Sequence, residues 1–369
     1  MIYPVELPAG FLKRGIMSKK LKTTPELLDQ NDLAEVMPLI AGDANGKNLL
    51  SMRQLSAEDI HMYINEAYAA EKIVHNPLKR GASILPFAIS KAVMRQPSTR
   101  TGGSFTTAIE KLGGSGDLIS GMSSSSEAKG ESLSDSWVAY ATQSDIIGIR
   151  TAEDFGSAFA AHVIADAVDN GKLWQLVPVI NLGDGRNEHP TQALGDLFTI
   201  HKKFKKLDGL TITIVGDHER YRAHHSLMIG AATVGMKIIA VESKTALVPP
   251  KLVALLGKSL TRTDILDSSM QNTDVLYIGR KPDEYTGKGD PKETKRSKQL
   301  SLDYNTWIVD YKRLQQMPPN SIVLHPRPRL TELHPNVDSD PRMKDVEQMS
   351  NMIPMRMAII AQHLGKSIK

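Results

Sequence analysis

The stretch that decides the fold is Gln96-Pro97-Ser98-Thr99-Arg100-Thr101-Gly102-Gly103-Ser104-Phe105. It follows an apolar run at 89–94 with the pattern of a strand, and it leads into apolar residues at helical spacing over 105–112. The spacing therefore predicts that residues 98–101 begin a helix, where backbone N–H groups point at an anion. Arg100 adds a planar guanidinium that can hold two phosphate oxygens. We interpret the stretch as a phosphate-binding turn; the alternative is an ordinary helix cap followed by a surface arginine.

Strand and helix patterns alternate on both sides of this turn. Apolar strand patterns occur in two series, at 89–94, 117–119, 146–149 and 177–181, and then at 210–215, 237–241, 275–278, 307–309 and 322–324. Helical patterns separate them. Two such series predict an α/β protein of two domains, each a parallel sheet flanked by helices. The last helical pattern has no strand after it and is expected to pack back across the domain junction.

The same alternation divides the chain into four parts. Residues 1–47 carry prolines and a basic cluster without periodicity and are expected to form an N-terminal extension. A solvated arm is favoured there over a targeting or partner-binding segment. Residues 48–190 and 191–342 are expected to form the two domains, and residues 343–369 a C-terminal helix that returns to the first domain.

Composition excludes several classes of function. The chain has 369 residues, a formal net charge of +4 and no cysteine, so it has no disulfide, no thiolate nucleophile and no cysteine zinc site. The small charge is spread along the chain, which does not indicate nucleic-acid binding. No apolar run approaches the roughly 20 residues that span a bilayer, and the N-terminus lacks the apolar core of a secretory signal. We therefore expect a soluble, cytoplasmic protein without a membrane partner.

Polar residues that could carry chemistry follow the strands, and in such folds ligands bind beyond the carboxyl ends of strands. They comprise several arginines, one lysine, one well-placed imidazole and hydroxyls, without paired carboxylates. These side chains suit the binding of a ligand that carries several negative charges. They favour displacement of phosphate, or reaction at a carbonyl next to phosphate, with positioned donors stabilising the developing negative charge.

Neither a metal nor a cofactor is expected. His218, His224 and His225 suggest a metal site, but no carboxylates stand at matching spacing. The glycine-rich run at 113–116 resembles a dinucleotide-binding loop, yet it follows a helix instead of a strand.

Five motifs resemble the aspartate/ornithine carbamoyltransferase family, and most closely its aspartate branch. They are S-T-R-T at 98–101, K-G-E at 129–131, H-P-T-Q-A-L-x-D-L-F-T-I at 189–200, G-D with a later R-x-x-H-S-L at 216–227, and L-H-P-x-P-R at 324–329. The resemblance implies transfer of the carbamoyl group from carbamoyl phosphate to the α-amine of L-aspartate, giving N-carbamoyl-L-aspartate and phosphate, a step of pyrimidine biosynthesis. It implies that the first domain binds carbamoyl phosphate and that the second binds the acceptor.

The resemblance also assigns roles to individual residues. The phosphate would be held by Ser98, Thr99, Arg100 and Thr101, with Arg100 stabilising it as it leaves. The carbamoyl oxygen would be polarised by Thr101, Arg150 and His189, and the carbamoyl amide nitrogen held by Gln192. Arg100, Thr101, Arg150 and His189 are thus the expected catalytic residues.

Two arginines, Arg222 and Arg280, would clamp the carboxylates of aspartate. Family members share sites between the subunits of a trimer, so Ser125 and Lys129 would reach the phosphate of a neighbouring chain. The serine run before Lys129 would then be a closing loop instead of a simple linker. Whether separate regulatory chains bind is left open.

Four positions depart from the family pattern. Gly102 and Thr106 replace an arginine and a glutamate, which suggests that a structural i,i+4 pair was dropped. Pro282 replaces a glutamine, and Arg327, which replaces a leucine, is expected to bring a third positive charge to the acceptor. Two alternatives stay open: a different amine acceptor, or an inactive homologue that serves as an assembly subunit. The ornithine branch is disfavoured because the chain has neither H-C-L-P nor an S-M-G after 275–278.

Overall fold

The computed structural model describes residues 48–76, 84–121, 130–281 and 291–369. The N-terminal extension predicted for 1–47 lies outside these ranges, as do Ser125, Lys129 and Pro282.

The first sheet has four parallel strands in the order β2-β1-β3-β4. They are β1 (Ile89–Met94), β2 (Ser115–Ser120), β3 (Ile146–Thr151) and β4 (Val179–Asp184). Along β1, Ala92 and Met94 belong to one buried cluster and Val93 to another. Successive side chains of a strand point to opposite faces, so the sheet is covered on both sides.

Five helices of the described residues accompany this sheet. They are α1 (Ala57–Val74), α2 (Thr99–Lys111), α3 (Leu133–Ala141), α4 (Gly156–Asp169) and α5 (Pro190–Phe204). At the start of α1, the Ser56 hydroxyl accepts the N–H of Asp59, and the Asp59 carboxylate accepts the N–H of Ser56. This is the reciprocal cap that fixes a helix start.

The second sheet has five parallel strands in the order β7-β6-β5-β8-β9. They are β5 (Thr211–Gly216), β6 (Lys237–Glu242), β7 (Leu260–Thr263), β8 (Val275–Ile278) and β9 (Ile322–Leu324). The helices that accompany them are α6 (Arg222–Thr233), α7 (Pro250–Leu256), α8 (Asp267–Met270), α9 (Pro291–Thr306) and α10 (Tyr311–Leu314). Short 3-10 turns occur at Met52–Gln54, Gly257–Ser259 and Pro335–Val337.

One strand prediction is wrong. Residues 307–309 are not a strand, and Val309 forms only an isolated bridge with Leu333. Trp307 and Val309 are buried because the connection between α9 and α10 packs into the core of the second sheet. Their apolar character therefore reflects packing and not strand pairing.

The last helix, α11 (Asp345–His363), joins the two halves of the molecule. It packs against α1 and α2, which belong to the first sheet, and against α5. One buried cluster accordingly contains residues of both sheets and of α11. The prediction of two helix-flanked parallel sheets with a C-terminal helix packing back is confirmed. No helix in the described part of the chain is both long and apolar enough to cross a membrane.

Candidate active site

A cavity of about 910 Å³ lies at the carboxyl ends of the strands of both sheets. It is lined by every described residue that the sequence assigned to the site. These are Ser98, Thr99, Arg100, Thr101, Arg150, His189, Gln192, Arg222, Arg280 and Arg327. The topology thus brings together side chains that are up to 229 positions apart in the sequence, from Ser98 to Arg327 (327 − 98).

The turn at 98–101, which the sequence suggested for phosphate, begins α2, so the predicted helix start is confirmed. Ser98 is the N-cap residue with an extended backbone, and its hydroxyl makes no capping hydrogen bond. The N–H groups of the first turn are therefore not covered by the side chain that would ordinarily accept them. A helix start of this kind is suited to an anion.

Arg100 projects from this turn toward the second half of the molecule. Its Nη2 donates to the backbone carbonyl of Arg327, with 2.5 Å between the two atoms. Burial lowers the pKa of Arg100, and the nearby cations of Arg280 and Arg327 lower it further. A guanidinium stays charged under these conditions, so this corner of the cavity is rich in positive charge.

Three side chains converge beside Gly183, at the end of β4. A Cβ atom at that position would lie 3.1 Å from Nη1 of Arg150, 3.2 Å from Nε of Arg222 and 3.3 Å from Cδ2 of His189. Gly183 has φ of 113°, which side-chain-bearing residues rarely adopt. A glycine is needed here because both the backbone and the space exclude a side chain.

His189 is a neutral imidazole in this setting. Burial holds its pKa well below the ordinary value, and the cations of Arg150, Arg356 and Arg222 add to the effect. Its backbone N–H donates to the Ser226 hydroxyl at 2.8 Å, which ties the start of α5 to α6. His189 can therefore donate one N–H to a ligand without carrying charge.

Arg222 lies where the two halves meet. Its Nη1 donates to the Gly185 carbonyl at 3.0 Å, and its Nη2 donates to Oε1 of Gln96, which belongs to the phosphate-binding turn. These acceptors are neutral, so they orient the guanidinium without cancelling its charge.

Arg327 differs from the other cations of the cavity. Its Nε donates to Oδ2 of Asp345 at 2.6 Å, and its Nη2 also contacts that oxygen. Asp345 begins α11, so the charge of Arg327 is paired within the protein.

The three histidines that suggested a metal site have structural partners. Nδ1 of His218 and Nδ1 of His224 are 3.1 Å apart, and the two nitrogens of His225 contact the backbone oxygens of Asn187 and His218. Within the described residues, no group of three or more histidine, aspartate or glutamate side chains could hold a metal ion.

Comparison with known proteins gives consistent matches. The model of the aspartate/ornithine carbamoyltransferase carbamoyl-P binding domain matches residues 47–202, and that of the Asp/Orn binding domain matches residues 208–363. The chain belongs to the aspartate/ornithine carbamoyltransferase family.

Relatives within the aspartate/ornithine carbamoyltransferase family are similar along most of the chain. The aspartate carbamoyltransferase catalytic subunit of Thermococcus gammatolerans is 34% identical over 88% of this chain and 99% of its own. The multifunctional protein pyr1-3 of Dictyostelium discoideum is 32% identical over 88% of this chain, which spans 14% of that larger protein. Aspartate transcarbamoylase from Trypanosoma cruzi, solved with carbamoyl phosphate and aspartate, superimposes with a TM-score of 0.76 at 30% identity, covering 86% of this chain and 96% of that one.

Gly102 has a structural reason in this member of the carbamoyltransferase family. A Cβ atom there would overlap the side chain of Leu118 on β2 and lie 3.3 Å from Cγ of Met94 on β1. A side chain at this position, such as the arginine of the family pattern, would therefore require the tip of the Leu118 side chain to move. Thr106 bonds to the carbonyls of Gly102 and Gly103.

Several residues that line the cavity were not assigned to the site from the sequence. Arg356 of α11 lines the cavity although its side chain is buried, and burial lowers its pKa to about 10. Tyr221 and Gln348 also line the cavity, as does Gln96, which the sequence placed in the turn without a role of its own. A signal for Arg356 was present, because it is the one charged residue in the apolar run at 352–361.

The cavity is strongly cationic. Among the described residues that line it, a single one carries a carboxylate, Asp217, whose Oδ1 is 2.8 Å from Nη2 of Arg296. Lys281 and seven arginines supply positive charge, the arginines being Arg100, Arg150, Arg220, Arg222, Arg280, Arg327 and Arg356. Such a surface binds ligands that bring several negative charges.

Proposed function

We propose that this chain transfers the carbamoyl group of carbamoyl phosphate to the α-amine of L-aspartate, giving N-carbamoyl-L-aspartate and phosphate. The observation that carries the proposal is one cavity that combines a helix start for a phosphate, a neutral imidazole and several arginines. Relatives named as aspartate carbamoyltransferase catalytic subunits support the same reaction.

The reaction needs positioning more than it needs a protein nucleophile. The neutral amine of aspartate attacks the carbamoyl carbon, a C–N bond forms, and the bond from that carbon to the phosphate oxygen breaks. The departing phosphate keeps the bonding electron pair and can take the proton that the amine loses. Negative charge grows first on the carbamoyl oxygen and then on the phosphate, so donors aimed at those atoms lower the barrier.

The phosphate-binding turn supplies donors for the leaving group. Ser98, Thr99 and Thr101 offer hydroxyls and first-turn N–H groups, and Arg100 offers a guanidinium that strengthens its hold as charge builds. Arg100 now donates to the Arg327 carbonyl, so it exchanges that partner for phosphate when substrate binds.

The carbamoyl group lies, in this proposal, beside Gly183, where Arg150 and His189 meet. Thr101, Arg150 and His189 donate to the carbamoyl oxygen. Because its pKa is held well below the ordinary value, His189 stays neutral at the pH of the cytoplasm and does not act as a cationic acid. Gln192 takes the carbamoyl amide.

The acceptor is held by Arg222 and Arg280, which follow β5 and β8 of the second sheet. Two guanidinium groups match the two carboxylates of aspartate. The positive side chain of ornithine would instead face like charge. Because Arg327 is paired with Asp345, it adds less charge to the acceptor site than an unpaired arginine would.

The assembly and location of the protein are finer parts of the proposal. We propose a cytoplasmic homotrimer in which Ser125 and Lys129 complete the site of a neighbouring subunit. The name "catalytic subunit" among the relatives is compatible with additional regulatory chains. Residues 48–190 would bind carbamoyl phosphate and residues 191–342 the acceptor.

An assay with the purified chain tests the reaction. Carbamoyl phosphate labelled at carbon is mixed with L-aspartate, and both N-carbamoyl-L-aspartate and phosphate are quantified. We expect equal amounts of the two products, formed in proportion to the protein. Phosphate release without labelled N-carbamoyl-L-aspartate would contradict the proposal, and a folded chain with no turnover would indicate an inactive homologue.

A further inference from the structure

A buried carboxylate lies directly behind the residue proposed to hold the carbamoyl amide. Asp196 of α5 is fully buried, and its Oδ1 accepts a hydrogen bond from Nε2 of Gln192 at 2.8 Å. The same oxygen accepts from Nε2 of Gln348 of α11 at 2.6 Å. Within the described residues, no lysine or arginine lies within ion-pair distance of it. Asp196 therefore accepts hydrogen bonds from two amides, and the cation of Arg356 acts on it only from beyond ion-pair distance.

The second amide is itself fixed. Oε1 of Gln348 accepts the backbone N–H of His325 at 2.9 Å, while its Nε2 donates to Asp196. Both ends of Gln348 are thus occupied, and Asp196 is held between α5, α11 and the loop that follows β9. A carboxylate anchored in this way is a rigid reference point for Gln192.

The chemistry of a carboxylate settles which way the Gln192 amide points. An ionised carboxylate only accepts hydrogen bonds, so Gln192 must turn its NH₂ group toward Asp196. Its carbonyl oxygen is then the atom left for the cavity, which Gln192 lines. The carbamoyl NH₂ group is a donor and requires such an acceptor. If the Gln192 amide were reversed, its NH₂ group would face the carbamoyl NH₂ group, and two donors would meet without an acceptor.

We propose that Asp196 is a positioning residue that fixes the carbonyl oxygen of Gln192 toward the substrate and thereby selects an acyl phosphate that bears an NH₂ group. The inference rests on the proposed function, because it concerns the same substrate. It adds a residue that does not touch the substrate and a specific selection, of carbamoyl phosphate over acetyl phosphate, whose methyl group cannot donate.

Protonation of Asp196 leaves this arrangement intact. Burial raises its pKa to about 7, although the amides of Gln348 and Gln192, the Tyr277 hydroxyl and the charge of Arg356 all act against the rise. Oδ2 has no well-formed hydrogen bond among the described residues and is the oxygen that takes the proton. Oδ1 then continues to accept from both amides. For the same reason, Asp196→Asn should closely mimic protonated Asp196. The asparagine carbonyl can take the place of Oδ1, and its NH₂ group can take the place of Oδ2.

The test compares the dissociation constants of carbamoyl phosphate and acetyl phosphate, measured by calorimetry without an acceptor. The wild type should bind carbamoyl phosphate more tightly, by about tenfold for one hydrogen bond in a buried site. In Asp196→Ala this preference should fall to within about twofold, and in Asp196→Asn it should persist. Affinity for inorganic phosphate should stay unchanged in all three proteins.

A matched control breaks a neighbouring link between the same helices. The Thr199 hydroxyl, one turn further along α5, accepts from Nδ2 of Asn351 of α11 at 2.9 Å, and Thr199 does not line the cavity. Thr199→Val should keep the wild-type preference. If it loses the preference as Asp196→Ala does, the effect comes from loosened helix packing and the inference is overturned.

Other outcomes are equally decisive. A folded Asp196→Ala that keeps the tenfold preference overturns the inference and leaves the proposed reaction intact. If the wild type binds both acyl phosphates equally, the role of Gln192 and the inference are both overturned. The proposed reaction is tested independently, by turnover with aspartate. Should Asp196→Ala not fold, Asp196→Ser keeps a buried hydroxyl too short to reach Gln192 and must show the same loss of preference.

Discussion

At the scale of single residues, the cavity is a cluster of like charges that the protein holds in place before any ligand arrives. Burial lowers the pKa of Arg356 to about 10, and the cations of Arg280 and Arg327 act against the charge of the exposed Arg100, so holding these charges together costs free energy. Phosphate and two carboxylates would relieve that cost. The cluster of arginines therefore stabilises the bound state that has the most negative charge near it. In the transition state, negative charge grows on the carbamoyl oxygen and the leaving phosphate, so this state is stabilised most.

Arg100 is the residue with the largest predicted effect on turnover. Arg100→Ala should lower kcat by roughly a hundredfold to a thousandfold, because one well-aimed donor to developing charge is worth about 3–4 kcal/mol. The matched control is Arg329→Ala in the loop after β9, where Arg329 is paired with Asp338 and does not line the cavity. Near-normal kcat in a folded Arg100→Ala protein would remove Arg100 from the chemistry.

Substitution of Arg356 should lower activity while it leaves stability equal or higher. Its side chain is buried without a carboxylate at ion-pair distance among the described residues, so Arg356→Met should leave the free energy of unfolding equal or raise it by about 1 kcal/mol. The catalytic efficiency, kcat/KM for carbamoyl phosphate, should fall at least about tenfold, since a cation in a site of low dielectric is lost.

Arg342 provides the contrast for this prediction. It is also buried, but it is bonded to Asp340 and lies outside the cavity. Arg342→Met should lower stability by about 3 kcal/mol, because it leaves a carboxylate without its partner, and should leave kcat/KM near the wild-type value. Chemical denaturation and steady-state kinetics measure both quantities. Parallel losses of stability and activity in Arg356→Met would contradict a role in the site.

Sequence motifs could identify the residues that line the cavity but not the contacts made by the residues behind them, even though Asp196 stands in one of those motifs. Ser98, His189 and Gln192 stand in long ordered motifs that follow strands, so topology alone predicts that they meet. The pairing of Arg327 with Asp345 and the contact of Asp196 with Gln348 depend on how α11 docks, which no local pattern encodes. The sequence therefore predicted that Arg327 brings a positive charge to the acceptor, whereas in the structure that charge is paired with Asp345.

At the scale of elements, the packing of α2 on β2 explains an unusual helix start. Gly102 faces Leu118, whereas a Cβ atom at Gly103, the next residue of the same helix, would meet nothing within 4 Å. Gly103→Ala should stabilise the protein by about 0.5–1 kcal/mol through helix propensity. Gly102→Ala gains the same propensity but must displace Leu118, so it should be less stable than Gly103→Ala by about 1–2 kcal/mol.

A double variant separates crowding from other causes in this helix. Truncation of the neighbour by Leu118→Ala should make Gly102→Ala as favourable as Gly103→Ala, because the overlapping side chain is removed. Urea denaturation of the four proteins gives the coupling free energy. Equal stabilities of Gly102→Ala and Gly103→Ala in the parent protein would show that Leu118 does not constrain the helix.

The elements that sequence patterns missed share a physical property. Strand β7 (Leu260–Thr263) is short and lies at the edge of its sheet, and α9 (Pro291–Thr306) carries a long polar run. Neither shows the apolar periodicity that marks a buried face. Strands β1, β8 and β9 were predicted with the observed bounds because burial leaves a continuous apolar signal, whereas the other predicted strands of the two sheets differ from the structure by one to three residues at one or both ends.

At the scale of the whole molecule, the cavity depends on two sheets whose strand ends face a common space. α5 and α11 hold the halves together, and Arg222 reaches from the second half to Gln96 and Gly185 of the first. The proposed trimer would add Ser125 and Lys129 of a neighbouring chain to this cavity. The complete site would then require both halves of one subunit and part of another.

Subunit mixing tests that assembly. Lys129→Ala and Arg100→Ala are each expected to be nearly inactive, but mixed trimers should regain some activity, because some sites then receive Arg100 from one chain and Lys129 from another. Native mass spectrometry verifies that subunits have exchanged, and the mixture of wild type with itself is the control. Absence of recovery after verified exchange would indicate sites built within one chain.

The central claim is that this cationic cavity carbamoylates a dicarboxylic amine. The most direct measurement is kcat/KM for L-aspartate and for L-ornithine, each as the varied acceptor at saturating carbamoyl phosphate, with both products quantified. We predict much faster carbamoylation of aspartate, because Arg222 and Arg280 offer positive charge to its two carboxylates and repel the ornithine ammonium. Faster turnover with ornithine than with aspartate would contradict the account.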